Sequence, residues 1–158
     1  MQRNDLVRRL GEALVRRGWF VCCAESCTGG GVAAALTDVA GSSAWFDRAF
    51  VTYSNDAKRE MLGVSSDTLA QYGAVSRETV IEMARGALTH SAAQLSVAIS
   101  GIAGPGGGTQ EKPVGTVWLA WAGPHGIDAV CEHFAGDRLA VRAASVDRAV
   151  AGLLERVR

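Results

Sequence analysis

The side chains able to do chemistry gather in a few short segments, and two of these segments share one design. Apolar runs from Trp19 to Cys23 and from Leu95 to Ile99 each empty into a loop of hydroxyls and glycines, Glu25-Ser-Cys-Thr-Gly-Gly-Gly31 and Ser100-Gly-Ile-Ala-Gly-Pro105. A strand ending in small residues leaves backbone N–H groups uncovered. A helix starting there adds the positive end of its dipole, so an anion or oxyanion can be held without a lysine. Candidate nucleophilic hydroxyls are plentiful: Ser26 and Thr28 beside Cys27, Ser42 and Ser43 in a Gly-Ser-Ser turn, and Tyr53 shortly before Lys58.

A hydroxyl nucleophile needs a base. The three histidines, His90, His125 and His133, sit in no His-Glu-x-x-His, Gly-x-Ser-x-Gly or papain-like setting, which argues against a histidine triad. Arginine cannot deprotonate, and the only lysines are Lys58 and Lys112. A lysine whose pKa is lowered by burial can take a serine's proton, so Lys58 with a serine is the base–nucleophile pair the sequence offers. The plainer alternative for Lys58 is a solvated charge near a helix start. Cys27 is another candidate nucleophile, because a position before a helix lowers a thiol pKa, although no histidine partner can be named for it.

The glycine loop matches neither Gly-x-Gly-x-x-Gly nor the phosphate loop with its lysine. Cysteines stand at 22, 23, 27 and 131, and neighbours on a strand face opposite ways, so buried reduced thiols are expected and no metal site. Sixteen basic and sixteen acidic side chains cancel in 158 residues, which leaves no excess positive field for a nucleic-acid backbone. No apolar run approaches the ~20 residues of a membrane helix, so no membrane association is expected. The first residues lead into an amphipathic helix rather than a signal core, and the cytoplasm is the expected compartment. The length suits one domain over residues 1–158.

The elements that position these residues follow from periodicity. Leu6, Leu10, Ala13 and Leu14 predict a helix over 4–17, stopped by Gly18. A strand from Trp19 to Ala24 precedes a small-residue helix capped by Thr28 and running to about Leu36. Ala44 to Tyr53 reads as a strand, and a helix capped at Ser54 or Asn55 carries Lys58 in its first turns. Helices are predicted over 66–71 and 78–90, and strands over 95–99, 114–122 and 127–134, the last two as a hairpin. A final helix follows Gly136-Asp-Arg138. Gly104 to Pro113 reads as a mobile lid or binding loop. Helices alternating with strands, then a hairpin, predict an α/β fold, a three-layer α/β/α sandwich with a mixed sheet.

Six blocks carry a resemblance: Ala24-Glu-Ser-Cys-Thr-Gly-Gly30, Gly41-Ser-Ser-Ala-Trp-Phe46, Val51-Thr-Tyr-Ser-Asn55 with Lys58, Gly73-Ala-Val-Ser76, Ser100-Gly-Ile-Ala-Gly-Pro105 and Lys112-Pro-Val-Gly-Thr-Val117. In this order they make nearly the whole chain resemble the CinA C-terminal domain family. The resemblance implies a nicotinamide-nucleotide amidase that converts nicotinamide mononucleotide to nicotinate mononucleotide and ammonia, without cofactor or metal, as a homodimer. Larger family members carry an added N-terminal domain, and this chain is expected to be the stand-alone amidase. The family's serine, tyrosine and lysine fall on Ser43, Tyr53 and Lys58, with Ser26 as the alternative nucleophile. Backbone N–H groups at Thr28, Gly29 and Gly30, or at Gly101 and Ile102, are expected to hold the oxyanion or the phosphate. Ser100 and Thr109 are expected to hydrogen-bond the substrate, and Arg138 or Arg142 to supply positive charge. A non-catalytic nucleotide-binding module, or a competence- or DNA-damage-associated partner, is the alternative reading.

Overall fold

A computed structural model describes residues 2–158. Five strands form one mixed sheet: β1 (Val21–Glu25), β2 (Phe46–Val51), β3 (Leu95–Gly101), β4 (Thr116–Gly123) and β5 (Gly126–His133), in the order β2-β1-β3-β4-β5. β2, β1 and β3 run parallel, while β4 and β5 are antiparallel additions. Six helices cover the two faces: α1 (Arg3–Arg17), α2 (Gly31–Thr37), α3 (Asn55–Leu62), α4 (Ser66–Tyr72), α5 (Arg77–Thr89) and α6 (Arg138–Val157). This is the three-layer α/β/α sandwich expected from the alternation of elements.

The two faces differ in side-chain size, and the difference sets how closely helices approach. Val21 and Cys23, Leu95, Val97 and Ile99, and Val117, Leu119 and Trp121 pack with α1, α2 and α6. On the opposite face the same strands present Cys22, Ala24, Ala98, Ala120 and Ala122 to α5. The alternation follows from the two-residue period of a strand. Small residues let α5 settle close to the sheet, and at Gly86 a Cβ would stand 2.0 Å from the carbonyl oxygen of Leu62. Across the sheet Gly152 of α6 lies flat on the Trp121 ring, where a Cβ would meet a ring carbon at 2.1 Å.

Four helix starts are capped by side chains. Ser54 accepts from the Ala57 N–H at 3.0 Å, Ser65 from Asp67 at 3.2 Å, Ser76 from Thr79 at 3.2 Å and Asp137 from Ala140 at 2.9 Å. The start of α2 departs from expectation. Its N-cap is Gly30 at φ 100°, and Thr28 does not cap it. The predicted strand from Ala44 also begins later, because Ser42–Ala44 form a 3₁₀ turn after Gly41 at φ 87°. Among the described residues no helix is long and apolar enough to cross a membrane.

Parallel pairing decides where the site lies. The carboxyl ends of β1, β2 and β3 share one edge of the sheet, so Ser26, Thr52 and Gly101 emerge together. β4 begins and β5 ends at that same edge, since Gly101 pairs with Val117 and Thr116 with His133, and the chain then turns into α6.

Candidate functional site

Ser26 is the first residue beyond β1, 7% exposed, with its N–H bonded to the Ile99 carbonyl of the neighbouring strand at 3.0 Å. Lys58 lies in α3, one turn past the Ser54 cap, and its side chain turns inward until the residue is 1% exposed. Its Nζ donates to Ser26 Oγ at 2.9 Å, to the Thr52 carbonyl at 2.8 Å and to the Tyr53 carbonyl at 3.2 Å. Three hydrogens of an ammonium meet three acceptors. When one proton leaves, the two carbonyls keep the two remaining hydrogens, and the lone pair faces the serine oxygen. Burial pulls the Lys58 pKa down to about 8, only partly opposed by nearby Cys27, so the neutral amine is accessible near physiological pH. A buried lysine–serine pair can therefore perform nucleophilic acyl transfer.

The helix start next to this pair is filled from within. Glu25, fully buried at the end of β1, accepts from the Thr28 hydroxyl at 2.6 Å and from the N–H groups of Gly30, Val32 and Ala33 at 3.2, 2.9 and 2.9 Å. The carboxylate thus takes the positive end of α2 that the sequence offered to a ligand. Gly29 donates to the Ser26 carbonyl at 3.0 Å. The expectation that the Gly29 and Gly30 amides hold a bound anion is corrected on this point, since both are committed to the loop itself, whereas among the described residues the Thr28 N–H finds no backbone partner. Sequence reasoning passed over Glu25. Its signal was an acid closing an apolar strand three residues before a threonine, the sole charge between Arg17 and Asp38.

Ser26, Cys27, Tyr53, Lys58, Ser100, Gly101, Ile102 and Arg138 share the wall of one cavity of about 280 Å³, together with Ala103, Gly104, Gly106 and Gly107. Among the described residues the N–H groups of Cys27, Ala103, Gly104, Gly106 and Gly107 find no backbone partner, whereas Ile102 donates to the Thr116 carbonyl at 2.9 Å. Uncommitted amides are thus on Cys27 and further along the second loop than Gly101 and Ile102. Thr109 is outside this wall, and its hydroxyl accepts from the Lys112 N–H at 3.0 Å. The tyrosine meets the lysine through its backbone rather than its phenol, which instead accepts from Arg138 Nη2 at 3.2 Å.

The first two arginines of α6 turn toward the loops rather than into solvent. Arg138 Nη1 donates to the Gly104 carbonyl at 2.8 Å, and Arg142 forks onto the carbonyls of Cys27 at 3.1 Å and Thr28 at 3.2 Å. Cys27 is no activated thiol: burial pushes its pKa up to about 11, overriding the opposing pull of Arg142 and Lys58. Among the described residues no cluster of three His, Cys, Asp or Glu is placed to hold a metal.

Ser43 stands apart. It is exposed in the 3₁₀ turn before β2, and Trp45 in the same turn accepts the Val21 N–H at the start of β1. The length of the strands therefore separates Ser43 from Ser26, roughly 16 Å at the rise of an extended chain. Thr52 is the other residue that spacing alone did not single out. Its hydroxyl, beside the lysine's carbonyl anchor, is buried without a hydrogen-bond partner among the described residues.

Residues 3–157 match the CinA C-terminal domain. Over 139 residues the chain is 59% identical to nicotinamide-nucleotide amidohydrolase PncC of Escherichia coli strain K12, covering 87% of this chain and 84% of that protein. The protein of the same name from Pseudomonas putida is 53% identical over 152 residues, 96% of this chain and 95% of its own length. The fold superposes on the crystal structure of competence/damage inducible protein CihA from Agrobacterium tumefaciens with a TM-score of 0.92 at 49% identity, over 97% of this chain and 94% of that one.

Proposed function

The chain belongs to the CinA C-terminal domain family, and on that premise we propose that it is a nicotinamide-nucleotide amidohydrolase whose nucleophile is Ser26 and whose base is Lys58. The high identity to proteins named for that activity supports the substrate, nicotinamide mononucleotide. The observation that carries the residue roles is the bond from Lys58 Nζ to Ser26 Oγ at 2.9 Å inside a cavity lined with uncommitted amides.

The reaction runs in two halves. Ser26 Oγ attacks the carboxamide carbon as the neutral Lys58 amine takes its proton, and the carbonyl oxygen becomes an oxyanion. The Cys27 and second-loop N–H groups receive that charge. The tetrahedral species collapses, the carbon–nitrogen bond breaks, and Lys58 passes its proton to the leaving nitrogen, which departs as ammonia. Water then attacks the acyl ester, giving a proton to Lys58. The ester bond breaks, Ser26 regains its proton, and nicotinate mononucleotide is released. Lys58 serves as base and then acid in each half, a cycle that a pKa near the working pH favours. A homodimer, as the family likeness implies, acting in the cytoplasm, as the amphipathic first residues suggest, completes the reading.

Ammonia release from nicotinamide mononucleotide by Ser26→Ala, Lys58→Ala and Ser43→Ala tests the assignment. The first two are expected to lower kcat/KM by roughly 10³-fold or more, the scale on which a nucleophile or its base is lost. Ser43→Ala is expected to leave it within about threefold, since a surface serine far from the reacting atoms has little to contribute. Full activity in Ser26→Ala would overturn the reading.

A further inference from the structure

We infer that Arg138 is a positioning residue for this hydrolysis, acting through Tyr53. The inference rests on the Ser26–Lys58 reading and extends it to Tyr53, whose carbonyl accepts from Lys58 Nζ at 3.2 Å and which lines the same cavity as Arg138. Tyr53 is 61% exposed, so packing alone does not set where its phenol stands. What holds it is one guanidinium: Arg138 Nη2 donates to the phenol oxygen at 3.2 Å, while Nη1 of the same group donates to the Gly104 carbonyl at 2.8 Å. The two nitrogens belong to one rigid plane, so anchoring one of them on Gly104 fixes the direction in which the other reaches for the phenol.

The base of this arm is itself tied to the nucleophile loop. Arg138 opens α6 next to the Asp137 cap, and one turn later Arg142 grips the carbonyls of Cys27 and Thr28, immediately after Ser26. A continuous path of hydrogen bonds and helix backbone therefore runs from the loop of Ser26 to the phenol of Tyr53. Residues reaching the cavity from three separate loops are held in register by a single helical turn. Lysine cannot replace arginine here, because one ammonium cannot span the phenol and the carbonyl with the geometry of a planar fork.

A double-mutant cycle on kcat and KM for nicotinamide mononucleotide tests this, using wild type, Arg138→Gln, Tyr53→Phe and the double variant, with Arg138→Lys alongside and thermal midpoints recorded for all. Arg138→Gln is expected to lower kcat by roughly tenfold to a hundredfold, the span of one charge-assisted hydrogen bond, with its thermal midpoint close to wild type. Arg138→Lys is expected to fall in the same range. In the Tyr53→Phe background the further loss from Arg138→Gln is expected to shrink below about threefold, as coupled residues require. An equal loss in both backgrounds, a loss below threefold in the wild-type background, or a rise in KM with kcat unchanged would each overturn the inference. The last outcome would make Arg138 a direct substrate contact. Failure of the parent reading is separate, since it shows as activity retained by Ser26→Ala whatever the cycle gives.

Discussion

An amine buried to 1% exposure is costly to protonate, and that cost suits Lys58 to the role of base proposed for it rather than to that of a surface charge. Its pKa near 8 sets the pH response. The reactive form is the neutral amine, so kcat/KM is expected to rise about tenfold per pH unit up to roughly pH 8 and then level, as for a single essential base. A profile flat from pH 6 to 9 would contradict the role. Beside it, the Thr52 hydroxyl is buried with no partner among the described residues, an arrangement that costs its desolvation. Thr52→Val removes that group at nearly constant shape and is expected to leave the denaturant midpoint unchanged or raise it, by up to about 1 kcal/mol in stability. A loss above 1 kcal/mol would show that the hydroxyl has a partner. The lysine was legible in the sequence because it is one of only two. Which serine it meets was not, because Ser26 and Ser43 both lie in small-residue turns, and only the burial of one and exposure of the other separates them.

At the scale of elements, the turn from β1 into α2 carries the most consequence. The sequence announces a glycine loop between a strand and a helix, a feature commonly used to hold anions. Here the anion is internal: Glu25 accepts four hydrogen bonds from the loop it precedes and fixes the backbone on which Ser26 sits. Glu25→Ala would strand three buried or half-buried N–H groups and one hydroxyl, so a loss of about 3 kcal/mol or more is expected by denaturant unfolding. A change below 1 kcal/mol would mean that the loop holds itself. Helix caps at Ser54 and Ser76 could be read directly, since a hydroxyl precedes each helix by the usual spacing. Thr28 misled for a physical reason. The Glu25 carboxylate accepts the helix-start N–H groups that a Thr28 cap would take, and the Thr28 hydroxyl donates to it as well.

Across the whole molecule, the site exists because three parallel strands end on one edge and an antiparallel pair returns the chain to it. Ser26, Lys58, Ser100, the second glycine loop and the first turn of α6 come from segments spread over the sequence, and the strand order β2-β1-β3-β4-β5 brings them together. Alternation of elements foretold the three layers, but pairing order lies in no local pattern, and with it went the separation of Ser43 from the site. The inward turn of Arg138 and Arg142 is likewise a whole-molecule property. Two arginines one turn apart read as a solvated face until the loops that receive them are in place. The central claim, that the hydroxyl held by Lys58 becomes acylated, is tested most directly by quenching enzyme with nicotinamide mononucleotide in the first turnovers and locating the adduct by fragment mass spectrometry. The tryptic peptide 18–48 contains Ser26, Ser42 and Ser43, so one peptide holds both candidates. The account predicts the nicotinate mononucleotide ester on Ser26. An ester on Ser43, or on Cys27 as a thioester, would contradict it.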